Sequence, residues 1–240
     1  MLMRILITWF VANFVIAGLA SWLAGGWYLG WDVSPTAGML AELGLIILPN
    51  LLLPMLVLRF WWPEPIPSIR QALGWRWTGW RSLLTGGIAF LVVFLLLRAV
   101  VALTGESIPY QLPGAGGEGM ALHGLGEIIA VLLGLAGFVT LTVAGEETMF
   151  RGWIQTQLGE RYGVWIGLLA GMVLFGLRHL PADLFYARAW QATPQMWLSR
   201  QLQLYLLALF LGLARHFGKS TYASAIAHAL ILVVALLGLG

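Results

Sequence analysis

The chain has no cysteine, and only 10% of its 240 residues are charged. Without cysteine, disulfides and thiolate metal sites are excluded, and the redox compartment leaves no mark. A soluble domain carries about 25% charged residues, so this chain has too few to clothe a globule in water. Lysine is almost absent too: of 13 basic residues only Lys219 is lysine. The basic residues are dispersed and the net charge is +3, which gives no electrostatic basis for binding nucleic acid. What fills the chain instead is apolar, at 60% hydrophobic residues.

A helix needs about 20 consecutive apolar residues to cross a bilayer. Seven stretches approach that: Ile5–Leu23, Met39–Phe60, Leu83–Leu103, Gly124–Leu158, Val164–His179, Met196–Phe217 and Thr221–Leu239. The expected fold is therefore all-α, a polytopic transmembrane bundle of about seven spans (six to eight) forming one integral membrane domain over residues 1–240. The fourth stretch is too long for a simple span and should either overrun the membrane or contain a break. Pro49 and Pro54 should kink the second, since proline removes backbone donors, which membrane helices tolerate when neighbours cover the freed carbonyls. The first stretch resembles a signal peptide in having Arg4 and small residues at Gly18 and Ala20, but its apolar run is longer than a signal core and reads as a retained anchor. Trp27, Tyr28, Trp31, Trp61, Trp62, Trp75, Trp77 and Trp80 gather at span ends, as interfacial aromatics do. Breaker-rich connections run from Trp62 to Pro67 and from Gly105 to Gly119, and no internal repeat is evident.

Arg59, Arg70, Arg76 and Arg81 follow the second stretch, and Arg215 and Lys219 the sixth. The alternate connections carry Asp32, Glu106 and Glu118, and the pair Asp183 and Arg188. The excess of positive charge on cytoplasmic loops then puts the N-terminus in the cytoplasm and the C-terminus outside. Short loops without targeting signals suit a bacterial plasma membrane.

A charge at the centre of a membrane helix costs about 2.5–3.5 kcal/mol on insertion scales, so an ionisable group there is a functional candidate by default. Gly145-Glu146-Glu147-Thr148-Met149-Phe150-Arg151 closes the fourth stretch. Glu147 and Arg151, four apart, share a helix face and can pair; Glu146 lies about 100° round the helix. Two adjacent carboxylates in a low-dielectric site do not both ionise cheaply, which suits a group that takes and returns a proton near neutral pH. The other candidates are Phe175-Gly176-Leu177-Arg178-His179, ending the fifth stretch, and His228 within the seventh, where an imidazole needs a partner. At about 1.5 Å rise per residue, Glu146 and His179 come to similar depths on antiparallel neighbours, and His228 is placed so that all three can meet. Glu42 and Glu127 near span starts, Arg98 and Arg200 near span ends, His123 in a connection and His216 beside Arg215 read as non-catalytic.

Glu-Glu-x-x-x-Arg at 146–151, Phe-x-x-x-His at 175–179 and a later helical His228 together resemble the CPBP family of intramembrane proteases, also called Abi, which includes the CAAX prenyl endopeptidases. The resemblance covers about residues 125–235, a catalytic core, and nothing before residue 120. It implies a site between helices that hydrolyses a peptide bond, with Glu146 activating water, His179 its partner, His228 steadying the oxyanion, and Glu147, Arg151 and Phe175 in support. The substrate it implies is a membrane-associated protein or peptide, lipidated in the family's eukaryotic members, met within the lipid bilayer. One position departs: the family often has a polar residue four after the last histidine, and here it is Leu232. Ser224, one turn before His228, is the candidate substitute. No cofactor is expected, although Glu146, His179 and His228 also make a permissible zinc set. A non-catalytic scaffold or immunity factor on the same fold is a second reading, and a proton-coupled transporter a third.

Overall fold

The computed structural model describes residues 1–16, 19, 48–62, 66, 68–105, 125–180 and 193–236, with the side chains of 125–135 and 236 left out. Glu42, His123 and the connections around residues 18–47, 106–124 and 181–192 therefore lie outside the described residues. Throughout the rest the secondary structure is helical. Helix α1 (Leu2–Phe10) runs into a π-helical segment π1 (Val11–Ile16), and α2 (Leu48–Leu56) into π2 (Val57–Trp61). The short α3 (Ile69–Ala72) precedes α4 (Trp80–Thr104). Then come α5 (Leu125–Glu146), π3 (Glu147–Gln155), α6 (Thr156–Tyr162), α7 (Val164–Arg178), α8 (Pro194–Gly218) and α9 (Thr221–Leu236).

Local chemistry sets these boundaries. Gly105 ends α4 in the left-handed conformation at φ 69°, which costs glycine no Cβ clash. Thr193 caps α8, its hydroxyl accepting from the Met196 amide at 3.2 Å, with Pro194 in the first turn where its missing N–H would have no helical partner. The fourth apolar stretch does not break: α5, π3 and α6 follow one another without interruption, with the middle wound more loosely. In the second stretch Pro54 lies inside α2 and the loosened π2 turn follows within three residues.

Helices α4 and α9 both pack on α8, and on each other; α7 packs on α8 and on α6; α5 lies against α2 and α9. The π3 segment sits in the middle, touching α2, α5, α7, α8 and α9. All nine of its residues are buried. The main apolar core forms around it from Met149, Phe150, Trp153 and Ile154, with Ile5 and Trp9 of α1, Leu58, Leu73, Phe175 and Leu204. Close helix approach depends on small residues. A Cβ on Gly167 of α7 would stand 2.4 Å from the Gln155 carbonyl oxygen and 2.7 Å from Gly159 Cα.

Among the described residues two helices, α4 and α8, are long and apolar enough to cross a membrane, and the apolar helices at Leu2–Ile16, Leu48–Trp61, Val164–Arg178 and Thr221–Ala235 are shorter. The outer face of α4 exposes Leu83, Leu84, Ile88, Leu91 and Leu95. A continuous row of leucines and isoleucine is a face for lipid rather than water. Together these features support an integral membrane bundle, while the described helices do not fix seven spans. The two basic connections meet at one end of the bundle. Arg81 donates from Nε to the Phe217 carbonyl at 2.8 Å, Thr78 Oγ1 to the Gly218 carbonyl at 3.0 Å, and the Thr221 amide to the Gly74 carbonyl at 2.9 Å.

Candidate active site

Six of the ionisable or aromatic residues singled out from the sequence gather around the start of π3. Glu146 and Glu147 are 4% and 0% exposed, Arg151 1% and His228 2%. Glu146 closes α5, Glu147 and Arg151 open π3, Phe175 and His179 come from the end of α7, and His228 from the middle of α9. π-helical turns widen the backbone spacing and recur at functional sites. Here the looser winding begins at the second glutamate.

The two adjacent carboxylates point to different partners. Glu147 Oε1 lies 2.9 Å from His228 Nδ1 and 3.3 Å from Arg151 Nη1. Arg151 completes its environment with a hydrogen bond from Nη2 to the Ala208 carbonyl at 3.2 Å, and its guanidinium lies 4.5 Å from the Phe175 ring centroid. Glu147, Arg151 and His228 thus form a buried charged unit linking π3, α8 and α9. A carboxylate on Nδ1 fixes the ring's orientation and leaves Nε2 as the free pole.

That pole faces Glu146: His228 Nε2 stands 3.7 Å from Glu146 Oε2. The gap exceeds a direct hydrogen bond and is the spacing at which a water bonds both groups from the side. The other oxygen of Glu146, Oε1, is ion-paired with Arg178. Arg178 also donates from Nε to His179 Nε2 at 3.4 Å. His179 and His228 lie on either side of Phe175, with ring centroids 5.2 and 6.3 Å from it, and Phe150 meets the same ring edge-on at 5.2 Å.

Arg178 is the site residue whose role the sequence reading missed. It was counted only as a neighbour of His179, yet its guanidinium joins His179 to Glu146. The signal available was its place one residue before a candidate histidine, at the end of an apolar helix, where an unpaired cation is costly. Ser224, the candidate substitute donor, is fully buried beside Glu147, and its hydroxyl also reaches the Thr221 carbonyl at 3.0 Å. Leu232 is buried in an apolar cluster with Val139 and Val143, so α9 offers no side-chain donor there. On the other side of π3, Trp75 donates from Nε1 to Thr148 Oγ1 at 3.0 Å, and Thr221 Oγ1 to the Leu73 carbonyl at 2.8 Å. The 73–75 turn is thereby pressed against the helix that carries the glutamates.

As a metal centre the arrangement fits poorly. Among the described residues no three of His, Asp and Glu come close enough to share an ion. Each carboxylate is already engaged by a guanidinium, Glu146 by Arg178 and Glu147 by Arg151.

Residues 128–234 match the family described as type II CAAX prenyl endopeptidase Rce1-like. The matched segment coincides with the part of the chain that resembles the CPBP proteases, and contains every residue of the cluster. No curated protein and no solved structure matches the chain. At family level the match supports a CAAX-protease-like endopeptidase of the membrane acting on a protein or peptide.

Proposed function

We propose that the chain is an intramembrane endopeptidase that hydrolyses a peptide bond of a membrane-associated protein or peptide by glutamate–histidine activation of water. The observation that carries the reading is the pair formed by Glu146 and His228: a buried carboxylate and the outward pole of an anchored imidazole, 3.7 Å apart, each from a different helix. Glu146 takes a proton from a water held between them. The water oxygen bonds to the scissile carbonyl carbon, and the carbonyl electron pair moves to oxygen. His228, carrying a proton on both ring nitrogens in this step, donates from Nδ1 to Glu147 and from Nε2 to that oxyanion. The C–N bond then breaks, and Glu146 returns its proton to the leaving amine. Arg151 holds Glu147 in place, so its part is positional. Every step uses this chain's own groups and none passes through a metal.

His179 does not share Glu146's oxygens directly; Arg178 stands between the two. In this reading His179 orients Arg178 and borders the space where substrate enters. The bundle is a polytopic protein of the bacterial plasma membrane with a cytoplasmic N-terminus, and the basic connections that meet at one end face the cytoplasm.

The test is Glu146→Gln, which keeps the side chain's shape and removes the base. Native and variant proteins are expressed in membranes and the membrane proteome compared. The expected result is loss of cleavage by at least 10²-fold, the scale of a general base, with uncut substrate accumulating on the variant. Undiminished cleavage by Glu146→Gln would end the assignment. Indistinguishable proteomes in the native, variant and deletion strains would favour the scaffold reading, to which Leu232 lends its weight.

A further inference from the structure

We infer that Arg178 is a catalytic residue of this site: its guanidinium is held on Glu146 until substrate arrives, then moves to the carbonyl oxygen of the scissile bond and stabilises the oxyanion. The inference rests on the endopeptidase reading above and adds to it the donor that α9 lacks.

Arg178 is too well placed to be a bystander. Its side chain is 9% exposed and pairs with a glutamate that is 5% exposed, so both charges are largely stripped of water. Among the described residues no other hydrogen bond reaches Glu146 Oε1. Arg178 occupies one oxygen of Glu146 and His228 faces the other, so a water that reaches the first oxygen has to displace the guanidinium, and a buried guanidinium needs a new anion. Hydrolysis makes one within reach of the carboxylate that activates the water: the oxygen of the tetrahedral intermediate. The guanidinium slides between two sites of negative charge without crossing lipid unpaired.

Its surroundings permit the transfer and limit it. The guanidinium lies 5.7 Å from the Phe175 ring centroid and 5.9 Å from that of Phe150, aromatic faces that hold a cation without a fixed hydrogen-bond direction. Nε lies 3.4 Å from His179 Nε2, a contact that keeps the rigid planar group beside the site. Three donors close to the two glutamates are committed elsewhere or missing. Leu232 packs on Val139 and Val143, Ser224 faces Glu147 and the Thr221 carbonyl, and Arg151 is committed to Glu147 and Ala208. His228 alone would leave the oxyanion with one donor. Preorganised donors aimed at developing charge are commonly the largest single contribution to such a reaction, and removing one costs about 10²–10³ in kcat.

The experiment uses the full-length protein in liposomes, as native, R178Q and R178K forms. The probe is an internally quenched peptide ending in a CAAX sequence, with and without a farnesyl group on its cysteine. A phosphonate analogue of the same peptide serves as a transition-state mimic. The expected result for R178Q is a kcat lower by about 10²–10³ at a KM within about threefold of native, with phosphonate affinity falling by the same factor as kcat/KM. R178K should regain part of both losses, because it keeps the charge and gives up the fork. Native or raised kcat in R178Q overturns the inference and leaves Arg178 a restraint on Glu146. Lowered kcat/KM with phosphonate affinity intact overturns it in favour of a structural role. If R178Q fails to fold, R178K decides: full native kcat there overturns the inference, and parallel losses of kcat and phosphonate affinity sustain it. Failure of the native protein to cleave either probe refutes the endopeptidase reading itself, an outcome separate from native cleavage that ignores Arg178.

Discussion

Cutting Glu147 away from Arg151 should destabilise the bundle far more than removing both charges together. Arg151 is 1% exposed and has three supports: Glu147 at 3.3 Å, the Ala208 carbonyl at 3.2 Å and the Phe175 ring at 4.5 Å. Glu147→Leu removes the only anion among them. Breaking a buried pair from one side costs about 3–5 kcal/mol; the surviving carbonyl and ring keep the loss near the lower end, about 3 kcal/mol. Arg151→Met leaves Glu147 with His228 at 2.9 Å, an imidazole that can take up a proton, so the loss is smaller, about 2 kcal/mol. Replacing both partners with apolar groups of similar volume is often neutral, so the double variant should lose less than Glu147→Leu alone. Reversible unfolding in mixed detergent–SDS micelles, followed by tryptophan fluorescence, gives the three differences. The coupling from the cycle should be at least 2 kcal/mol, within the range of contacting charged pairs. Additivity within about 0.5 kcal/mol would refute the reasoning, because it would mean that the two charges do not depend on each other. Under the proposed endopeptidase reading, Glu147→Leu and the double variant should also lose proteolysis, since His228 loses its anchor.

Two further outcomes follow from the packing. Gly167→Ala places a methyl 2.4 Å from the Gln155 carbonyl oxygen and 2.6 Å from the Gly159 amide nitrogen; backbone cannot step aside as a side chain does, so α6 and α7 must part, at about 1–3 kcal/mol or more, read in the same micelle titration. Thr221→Val keeps the shape and removes the hydrogen bond to the Leu73 carbonyl at 2.8 Å, leaving a buried acceptor unmade; about 1–3 kcal/mol of stability should be lost, and faster amide exchange over residues 72–76 should reveal a loosened turn.

Much of the site was readable because intramembrane charge is rare. Once the apolar stretches were marked, Glu146, Glu147, Arg151, His179 and His228 stood out against hydrocarbon by cost alone, and Phe175 came with the spacing of its motif. Three things were not readable. The loosened π3 winding has no compositional mark, since its apolar residues serve a wide turn as well as a tight one. Which glutamate meets His228 turns on a helix rotation of about 100°, less than sequence spacing resolves across three helices; the direct bond goes to Glu147, the residue assigned to support. Arg178 was hidden by the length of its side chain, which carries the charge across to another helix, away from its own neighbours in sequence. The Leu73–Trp75 turn against π3 depends on contacts between residues more than 70 positions apart in sequence, and no local pattern encodes those.

The composition of the cluster also explains how so many ionisable groups survive in an apolar bundle. Glu146 with Arg178 and Glu147 with Arg151 are two balanced pairs, so the resting site is neutral as a whole when His228 carries no extra proton. Each carboxylate therefore has its own cation, and the pairs share one imidazole that touches Glu147 with one nitrogen and faces Glu146 with the other. A neutral cluster is cheap to bury compared with an isolated ion. The proposed endopeptidase mechanism needs one pair fixed and the other free to open. Arg151 is pinned by a backbone carbonyl and a ring at 4.5 Å, whereas Arg178 has a 3.4 Å contact to a neighbouring imidazole and rings beyond 5.5 Å. The cation with fewer other anchors is the one on Glu146, the glutamate that also faces His228 Nε2. On the proposed endopeptidase reading, this asymmetry of the two arginines gives different work to two adjacent glutamates that the sequence presents as equals: Glu147 holds, and Glu146 exchanges its partner for a proton.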